Sequence, residues 1–196
     1  MMRTDPKGMK RIEGNQSPAR LRGSAKICYA APMKPNAPAG DDYEIRLCAA
    51  NDLSGTDLAA CIELVTGGDA VNPATVKRDL PCSTRIAIVR KAGSVVGVGV
   101  IKPIRPRYAA GVSGKSKIVF DEDMPELGYV AVSRDHQGHG LSARIVGTLL
   151  TGTGKPLFAT TSNARMKSTL TKAGFVQRGK EWKGRRGDQL SLWLRP

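Results

Sequence analysis

The sequence predicts one mixed α/β domain, and three observations lead to that prediction. From residue 43 onward, segments with the apolar–polar alternation of strands interleave with segments that have helical spacing. Hydrophobic residues make up 40% of the 196 residues, which is enough for a packed core. A glycine-containing loop separates one predicted strand from the helix that follows it. These features together predict strands and helices in one folded unit.

Residues 1–40 differ from the rest of the chain in composition. They carry eight Lys and Arg against two acids, with prolines and glycines and no sustained hydrophobic period. This composition predicts a basic, flexible N-terminal arm, with the folded domain over residues 41–196. The net charge is +14 for the chain and, because the arm contributes +6, it is +8 for residues 41–196. The arm could hold a nucleic acid or be a plain linker.

The first elements of the domain are a predicted strand followed by two predicted helices. Residues 43–50, YEIRLCAA, alternate like a strand, and residues 53–68 place apolar side chains at helical spacing. Ser54 or Thr56 is a plausible N-cap for that helix. Pro73 suits the first position of a short second helix.

The rest of the domain predicts a hairpin and then alternating strands and helices. Two β-rich runs flank Ala92-Gly93-Ser94, and residues 106–123 are interpreted as a polar, glycine-containing connection. Asn163 and Gly174 suit the start and stop of the last helix. Further strands are predicted at residues 126–133, 156–162, 175–184 and 188–195. Between them, helices are predicted at about 138–150 and at 163–174.

Cysteine usage and hydropathy bear on where the protein works. The four cysteines form no C-x-x-C pair, which predicts reduced, mostly buried thiols. No segment approaches the roughly 18–20 apolar residues of a membrane span. The N-terminus has no apolar secretory segment. We therefore expect a cytoplasmic protein without a membrane partner.

The glycine-containing segments match two nucleotide-binding motifs poorly. Gly138, Gly140 and Ala143 match G-x-G-x-x-A, but five polar residues separate the strand from the first glycine. The acid that such a fingerprint needs about 20 residues later is also missing. Gly114-Lys115-Ser116 matches the end of a P-loop, but residue 109 is Ala where the motif's first glycine belongs, and no long helix is predicted after it.

A third pattern fits better. Gln137-x-x-Gly140-x-Ser142, preceded by the strand ELGYVAV, resembles the acyl-coenzyme A loop of the GNAT superfamily of N-acetyltransferases, Q/R-x-x-G-x-G/A. Serine at the last position departs from the signature but is still small.

The resemblance extends to the segment NARMKSTLTKAGF, which is similar to the late helix of that superfamily. Asn163, Gly174 and Phe175 are in register with its Asn-to-Gly-Phe pattern. The resemblance spans residues 43–196 in element order and is most specific over 126–175. It implies a mixed, mostly antiparallel sheet of six to seven strands flanked by helices.

The resemblance also implies acetyl-coenzyme A as the acyl donor and assigns residues to it. The strand residues Val130, Ala131 and Val132 would pair with pantetheine. A turn without bulky side chains lets successive amides point at a pyrophosphate, and the following helix adds partial positive charge. The remaining donor-binding candidates are Gln137, Gly138, His139, Gly140, Leu141, Ser142 and Asn163.

For the chemistry, the resemblance implies that Glu126 acts as general base, often through water. The structural alternative is that Glu126 only ends an acidic turn with residues 121–123. The superfamily often has a tyrosine as general acid where this chain has Leu170, and a leucine cannot donate a proton. Another residue, with Tyr129 as a candidate, or water would then serve, or the thiolate would leave without an acid.

A metal site is not expected. His136 and His139 stand three residues apart, but two ligands without a nearby Cys or further His make a poor site. We expect both histidines on the loop surface.

The acceptor remains open at this stage. The acidic segment 121–126 could attract an amine, whereas the basic arm and KEWKGRR at 180–186, with Trp182 for stacking, would suit an RNA-bound acceptor such as an aminoacylated transfer RNA. Part of the positive charge could serve coenzyme A.

The predicted function is N-acetylation of an amine by direct attack, and the alternative is a nucleic-acid-binding protein on a catalytically weak GNAT scaffold. The resemblance leaves a homodimer possible.

Overall fold

The structure, a computed structural model, describes residues 42–68 and 71–196. The basic arm predicted at residues 1–40 lies outside the described residues. Across these residues, seven strands and five α-helices follow one another: β1 Glu44–Cys48, α1 Gly55–Thr66, α2 Pro73–Asp79, β2 Arg85–Lys91, β3 Ser94–Ile101, α3 Pro106–Ser116, β4 Leu127–Val132, α4 Leu141–Leu150, β5 Leu157–Thr161, α5 Ala164–Lys172, β6 Val176–Lys183 and β7 Gln189–Arg195.

The strands form two antiparallel sheets. One has the order β1-β2-β3-β4 and the other the order β5-β7-β6. A single parallel bridge, Glu126 with Phe158, links the start of β4 to β5. The predicted mixed, mostly antiparallel architecture of six to seven strands is confirmed, with seven strands divided between two sheets. β4 carries a bulge at Tyr129, whose φ is 51°, and a bulge bends and twists its strand.

The predicted helix signals are confirmed where they rest on local chemistry. Ser54 caps α1 by accepting a hydrogen bond from the Asp57 amide at 3.1 Å. Pro73 is the first residue of α2. Asn163 is the N-cap of α5, and its Oδ1 accepts a hydrogen bond from the Met166 amide at 3.0 Å. These caps satisfy amides that have no partner inside the helix.

One predicted connection is wrong. Residues 106–123 begin with a helix, α3, instead of an irregular segment. Its first position is Pro106, and Ala109, Val112 and Ser116 are buried at helical spacing. Gly111 and Gly114 lower the helix propensity of the segment and hide this pattern in the sequence. The predicted start of the next helix also shifts, from about 138 to Leu141.

The core holds α4 tightly against β3. Ile145 and Leu149 of α4 are fully buried, and a Cβ on Gly99 of β3 would clash with the Ile145 side chain. The helix therefore lies closer to the sheet than a side chain at residue 99 would allow.

Two of the three described cysteines, Cys48 and Cys61, are buried, whereas Cys82 is exposed. Among the described residues, every helix is too short or too polar to cross a bilayer.

Candidate functional site

The two sheets separate next to β4 and leave a cleft beside its last residues. β4 pairs with β3 and β5 pairs with β7, so among the described residues the edges of β4 and β5 join only at the Glu126–Phe158 bridge. The three predicted pantetheine-binding residues, Val130, Ala131 and Val132, lie beyond that bridge and are half-buried. They are at a strand edge that no strand in residues 42–68 and 71–196 covers.

The glycine loop, residues 133–140, runs from the end of β4 to the start of α4. Gly138 and Gly140 have φ angles of 88° and 68°, and no atom beyond their chain neighbours lies within 4 Å of a Cβ built on either. The backbone amides of residues 138–142 donate to no backbone carbonyl in the described part of the chain. The α4 dipole adds partial positive charge at this end. The loop therefore presents a row of donors suited to an anion.

The side chains of the loop brace it and leave its outer face open. Gln137 Nε2 donates to the Val132 carbonyl at 3.2 Å, which ties the loop to the end of β4. Leu141 is buried beneath the helix start, Ser142 is half-buried, and His139 is exposed.

Tyr43, which precedes β1, packs against both histidines. Its hydroxyl lies 2.9 Å from His136 Nδ1, and its ring centroid is 5.5 Å from that of His139. Arg144, one turn into α4, donates to the Tyr43 carbonyl at 3.2 Å. In residues 42–68 and 71–196, no three His, Cys, Asp or Glu side chains are grouped so that they could hold a metal ion.

Glu126 is buried and is paired with two cations. Its carboxylate accepts from Lys102 Nζ at 3.0 Å and from Arg105, and it is 3% exposed. Arg105 also contacts Asp79 at 2.9 Å, and Asp79 accepts from the Tyr129 hydroxyl at 3.2 Å. Burial lowers the pKa of Lys102, although Glu126 partly offsets this effect. Glu126 thus belongs to a buried ion network rather than to the exposed acidic turn at 121–123.

Two hydroxyl groups connect this buried carboxylate to the surface. Thr160 Oγ1 donates to Glu126 Oε1 at 3.4 Å, and the Tyr108 hydroxyl lies 3.1 Å from Thr160 Oγ1. Burial raises the pKa of Tyr108, so its phenol stays protonated at neutral pH.

The two positions considered for a general acid are both unsuited to that task. Leu170 is fully buried in the core with Phe175. The Tyr129 hydroxyl faces buried Asp79, and burial raises the pKa of Tyr129, which makes it a weaker proton donor.

A second opening is lined in part by Arg105. This basic cavity has a volume of about 800 Å³, and its lining includes Tyr108 and cationic side chains from α2, α3 and the turn between β6 and β7. Trp182, the candidate stacking residue, is half-buried and packs against the cluster that contains Phe158.

Sequence reasoning missed most of the ion network. Lys102, Arg105 and Tyr108 share the segment 102–108, whereas Asp79 ends α2 and Thr160 lies in β5, so the network forms only in the folded chain. One signal was present in KPIRPRY, residues 102–108, where cations cluster around a proline suited to a helix start.

Solved structures identify the class of fold. Of the comparisons made, no family profile and no curated protein sequence matches the chain. Many solved structures do match, and they include GNAT-family acetyltransferases. The described chain therefore has the GNAT fold.

Particular neighbours cover most of both chains at low sequence identity. Escherichia coli ElaA has a TM-score of 0.57 at 16% identity, over 79% of this chain and 99% of its own. An acyl-CoA N-acyltransferase from Pseudomonas aeruginosa has a TM-score of 0.56 at 14% identity, over 79% and 99%. A GNAT-family acetyltransferase from Streptococcus agalactiae has a TM-score of 0.58 at 12% identity, over 78% and 94%.

Proposed function

We propose that the protein is an acyl-coenzyme A-dependent N-acyltransferase that transfers an acetyl group to an amine by direct attack in a ternary complex. The observation that carries this proposal is the open N-terminus of α4, where the amides of residues 138–142 have no backbone acceptor in the described chain. A pyrophosphate would supply the missing acceptors. The uncovered edge of β4 starts beside the same loop, and the GNAT fold of the neighbours supports the assignment.

The donor is proposed to lie along β4, with its pyrophosphate on residues 137–142. Val130, Ala131 and Val132 would pair with the extended pantetheine arm as another strand would. A backbone amide of this segment would polarise the thioester carbonyl and stabilise the negative charge that develops on its oxygen. Asn163 caps α5 through Oδ1, which leaves its Nδ2 group as a donor toward the arm.

The acceptor proton is proposed to reach Glu126 through hydroxyl groups. The amine nitrogen forms a bond to the acyl carbon, the carbon–sulfur bond breaks, and the thiolate leaves with that electron pair. The proton lost by the nitrogen passes by way of Tyr108 and Thr160 to the Glu126 carboxylate, along the contacts of 3.1 Å and 3.4 Å. A thiolate is a stable enough leaving group that water can protonate it later, so Leu170 is compatible with turnover.

Calorimetric titration with acetyl-coenzyme A and with desulfo-coenzyme A tests donor binding. We expect micromolar affinity for acetyl-coenzyme A. Acetyl transfer to a panel of amines is then measured by mass spectrometry of the products. A thiol reagent that detects released coenzyme A is avoided, because it would also react with exposed Cys82. If the folded protein does not bind acetyl-coenzyme A, the proposed function is wrong.

Two variants test the proton route. Glu126→Gln should lower kcat by about 100-fold, in the range of general base catalysis, with unchanged donor affinity. It should also destabilise the fold by about 3–5 kcal/mol, because buried Lys102 loses its carboxylate. Thr160→Val keeps the ion pairs and should lower kcat less. Glu181→Gln, an exposed change of the same type, is the control. Unchanged turnover in both test variants would remove Glu126 from the mechanism.

A further inference from the structure

The charge of the basic cavity is not explained by acyl transfer alone. Its volume is about 800 Å³, and the described lining residues include no acid. Five cationic side chains from separate parts of the chain meet there: Arg78 of α2, Arg105 before α3, Arg107 and Lys115 of α3, and Arg185 between β6 and β7. Like charges around one cavity repel each other, and an anion in the cavity would remove that cost.

The buried acids neutralise only part of this charge. Arg78 pairs with Asp79, and Arg105 pairs with Asp79 and Glu126. Arg107, Lys115 and Arg185 have no acidic partner within the described residues. Three cations therefore face the cavity without a counter-charge from the described chain.

The cavity is also connected to the proposed proton acceptor. Tyr108 lines it, and the hydroxyl contacts of Tyr108 and Thr160 lead from it to Glu126. The Arg105 guanidinium lies 4.5 Å from the centroid of the Tyr108 ring, which holds the ring at the wall of the cavity. A molecule with its amine at Tyr108 would extend its other end toward Arg107, Lys115 and Arg185.

We propose that the acceptor is a small amine that carries a phosphate group, with the amine at Tyr108 and the phosphate among these three cations. The proposal rests on the proposed acyltransferase function and names its acceptor class. A volume of about 800 Å³ lies within the range of small-molecule sites. Arginine presents paired donors that match phosphate oxygens, and lysine adds a point charge. The phosphate takes no part in bond making or breaking.

The experiment compares amines that differ only in their charged end. The probes are 3-aminopropyl phosphate, 3-aminopropanol and 4-aminobutanoate, each with saturating acetyl-coenzyme A. The test variant is Arg107→Gln/Lys115→Gln, and the control is Arg46→Gln/Lys77→Gln, which removes one Arg and one Lys from exposed positions outside the cavity. Binding of 3-aminopropyl phosphate is also measured by ligand-observed NMR in the Gly140→Asp background, so that the glycine loop does not contribute.

We expect KM for the phosphate probe to be at least about tenfold below that for 3-aminopropanol, with 4-aminobutanoate between them. The advantage should disappear in the test variant and persist in the control. Equal KM values for the three amines would overturn the acceptor class while leaving the acyltransferase function intact. If no amine is acetylated, the proposed activity fails, and NMR binding that the test variant loses still supports the phosphate site. Binding that the test variant retains would overturn it.

Discussion

A glycine with the same φ lies at each end of α4, but the polar backbone groups at the two ends have different partners. Gly140 at the start and Gly152 just after the end both have φ of 68°, and both have open space around an added Cβ. At the end of the helix, Arg85 donates to the carbonyls of Leu149 and Thr151. At the start, the amides of residues 138–142 meet no backbone carbonyl in the described chain.

The difference shows which end the protein completes by itself. A helix leaves four amides and four carbonyls without internal partners, and native proteins usually satisfy them with caps or water. Here an arginine from β2 closes the carbonyl end, whereas Gly140 as N-cap contributes no side-chain acceptor. The amide end is the one that the proposed pyrophosphate would complete.

The largest effect is expected when the glycine at the start of α4 is replaced by aspartate. The same replacement at the other end distinguishes loss of ligand binding from backbone strain. Gly140→Asp should weaken acetyl-coenzyme A binding at least about 100-fold, because it places a carboxylate where the pyrophosphate is proposed to bind. Gly152→Asp imposes the same residue on the same φ and should leave affinity unchanged. Calorimetric titration of both variants measures the effect. Equal losses in the two variants would mean that strain, not charge at the open end, determines the affinity.

A second change tests how the helix between the two ends is held. Gly99→Ala should destabilise the fold by about 1–3 kcal/mol, because the added methyl would push Ile145 away from β3. It should also weaken donor binding, since α4 carries the open amides. Gly111→Ala, in open space within α3, should instead stabilise by about 0.5–1 kcal/mol.

Urea unfolding of both Gly→Ala variants measures these opposite shifts. A neutral Gly99→Ala would show that α4 can move without cost, and that its distance from β3 is not set by this contact.

The smallest effect concerns the closed end. Arg85→Met keeps an aliphatic side chain but removes the donors to Leu149 and Thr151, and it should cost about 1 kcal/mol of stability. Donor affinity should not change, because the open amides lie at the other end of α4. Thermal unfolding and calorimetric titration on the same sample check both expectations. A loss of affinity would show that the two ends are coupled.

The glycine loop could be predicted from sequence because its chemistry is local. Gln137, Gly140 and the following helix are consecutive, and Asn163 caps α5 within three residues. The division into two sheets was not predictable, because it depends on which strands pair, and the last strand, β7, inserts between β5 and β6 only in the folded chain.

The ion network could not be predicted for a different reason. Asp79, Lys102, Arg105 and Glu126 span nearly fifty positions, and their pairing depends on how α2, β3 and β4 pack. Glu126 itself was identified only by resemblance, and its catalytic role stays a prediction. The helix α3 was missed because Gly111 and Gly114 lower its helix propensity, and because its close packing on Gly179 of β6, where a Cβ would clash with the Ser116 carbonyl, appears only in the folded chain.

The bridge between Glu126 and Phe158 has a mechanical consequence. It is the one backbone pairing between the two sheets in residues 42–68 and 71–196, and it includes the hydrogen bond that the Phe158 amide donates to the Pro125 carbonyl at 3.1 Å. Because backbone hydrogen bonds join β4 and β5 only here among the described residues, a relative displacement of the two strands would be smallest at this point. The Glu126 carboxylate would then keep its place while the mouth of the cleft widens around residues 130–132.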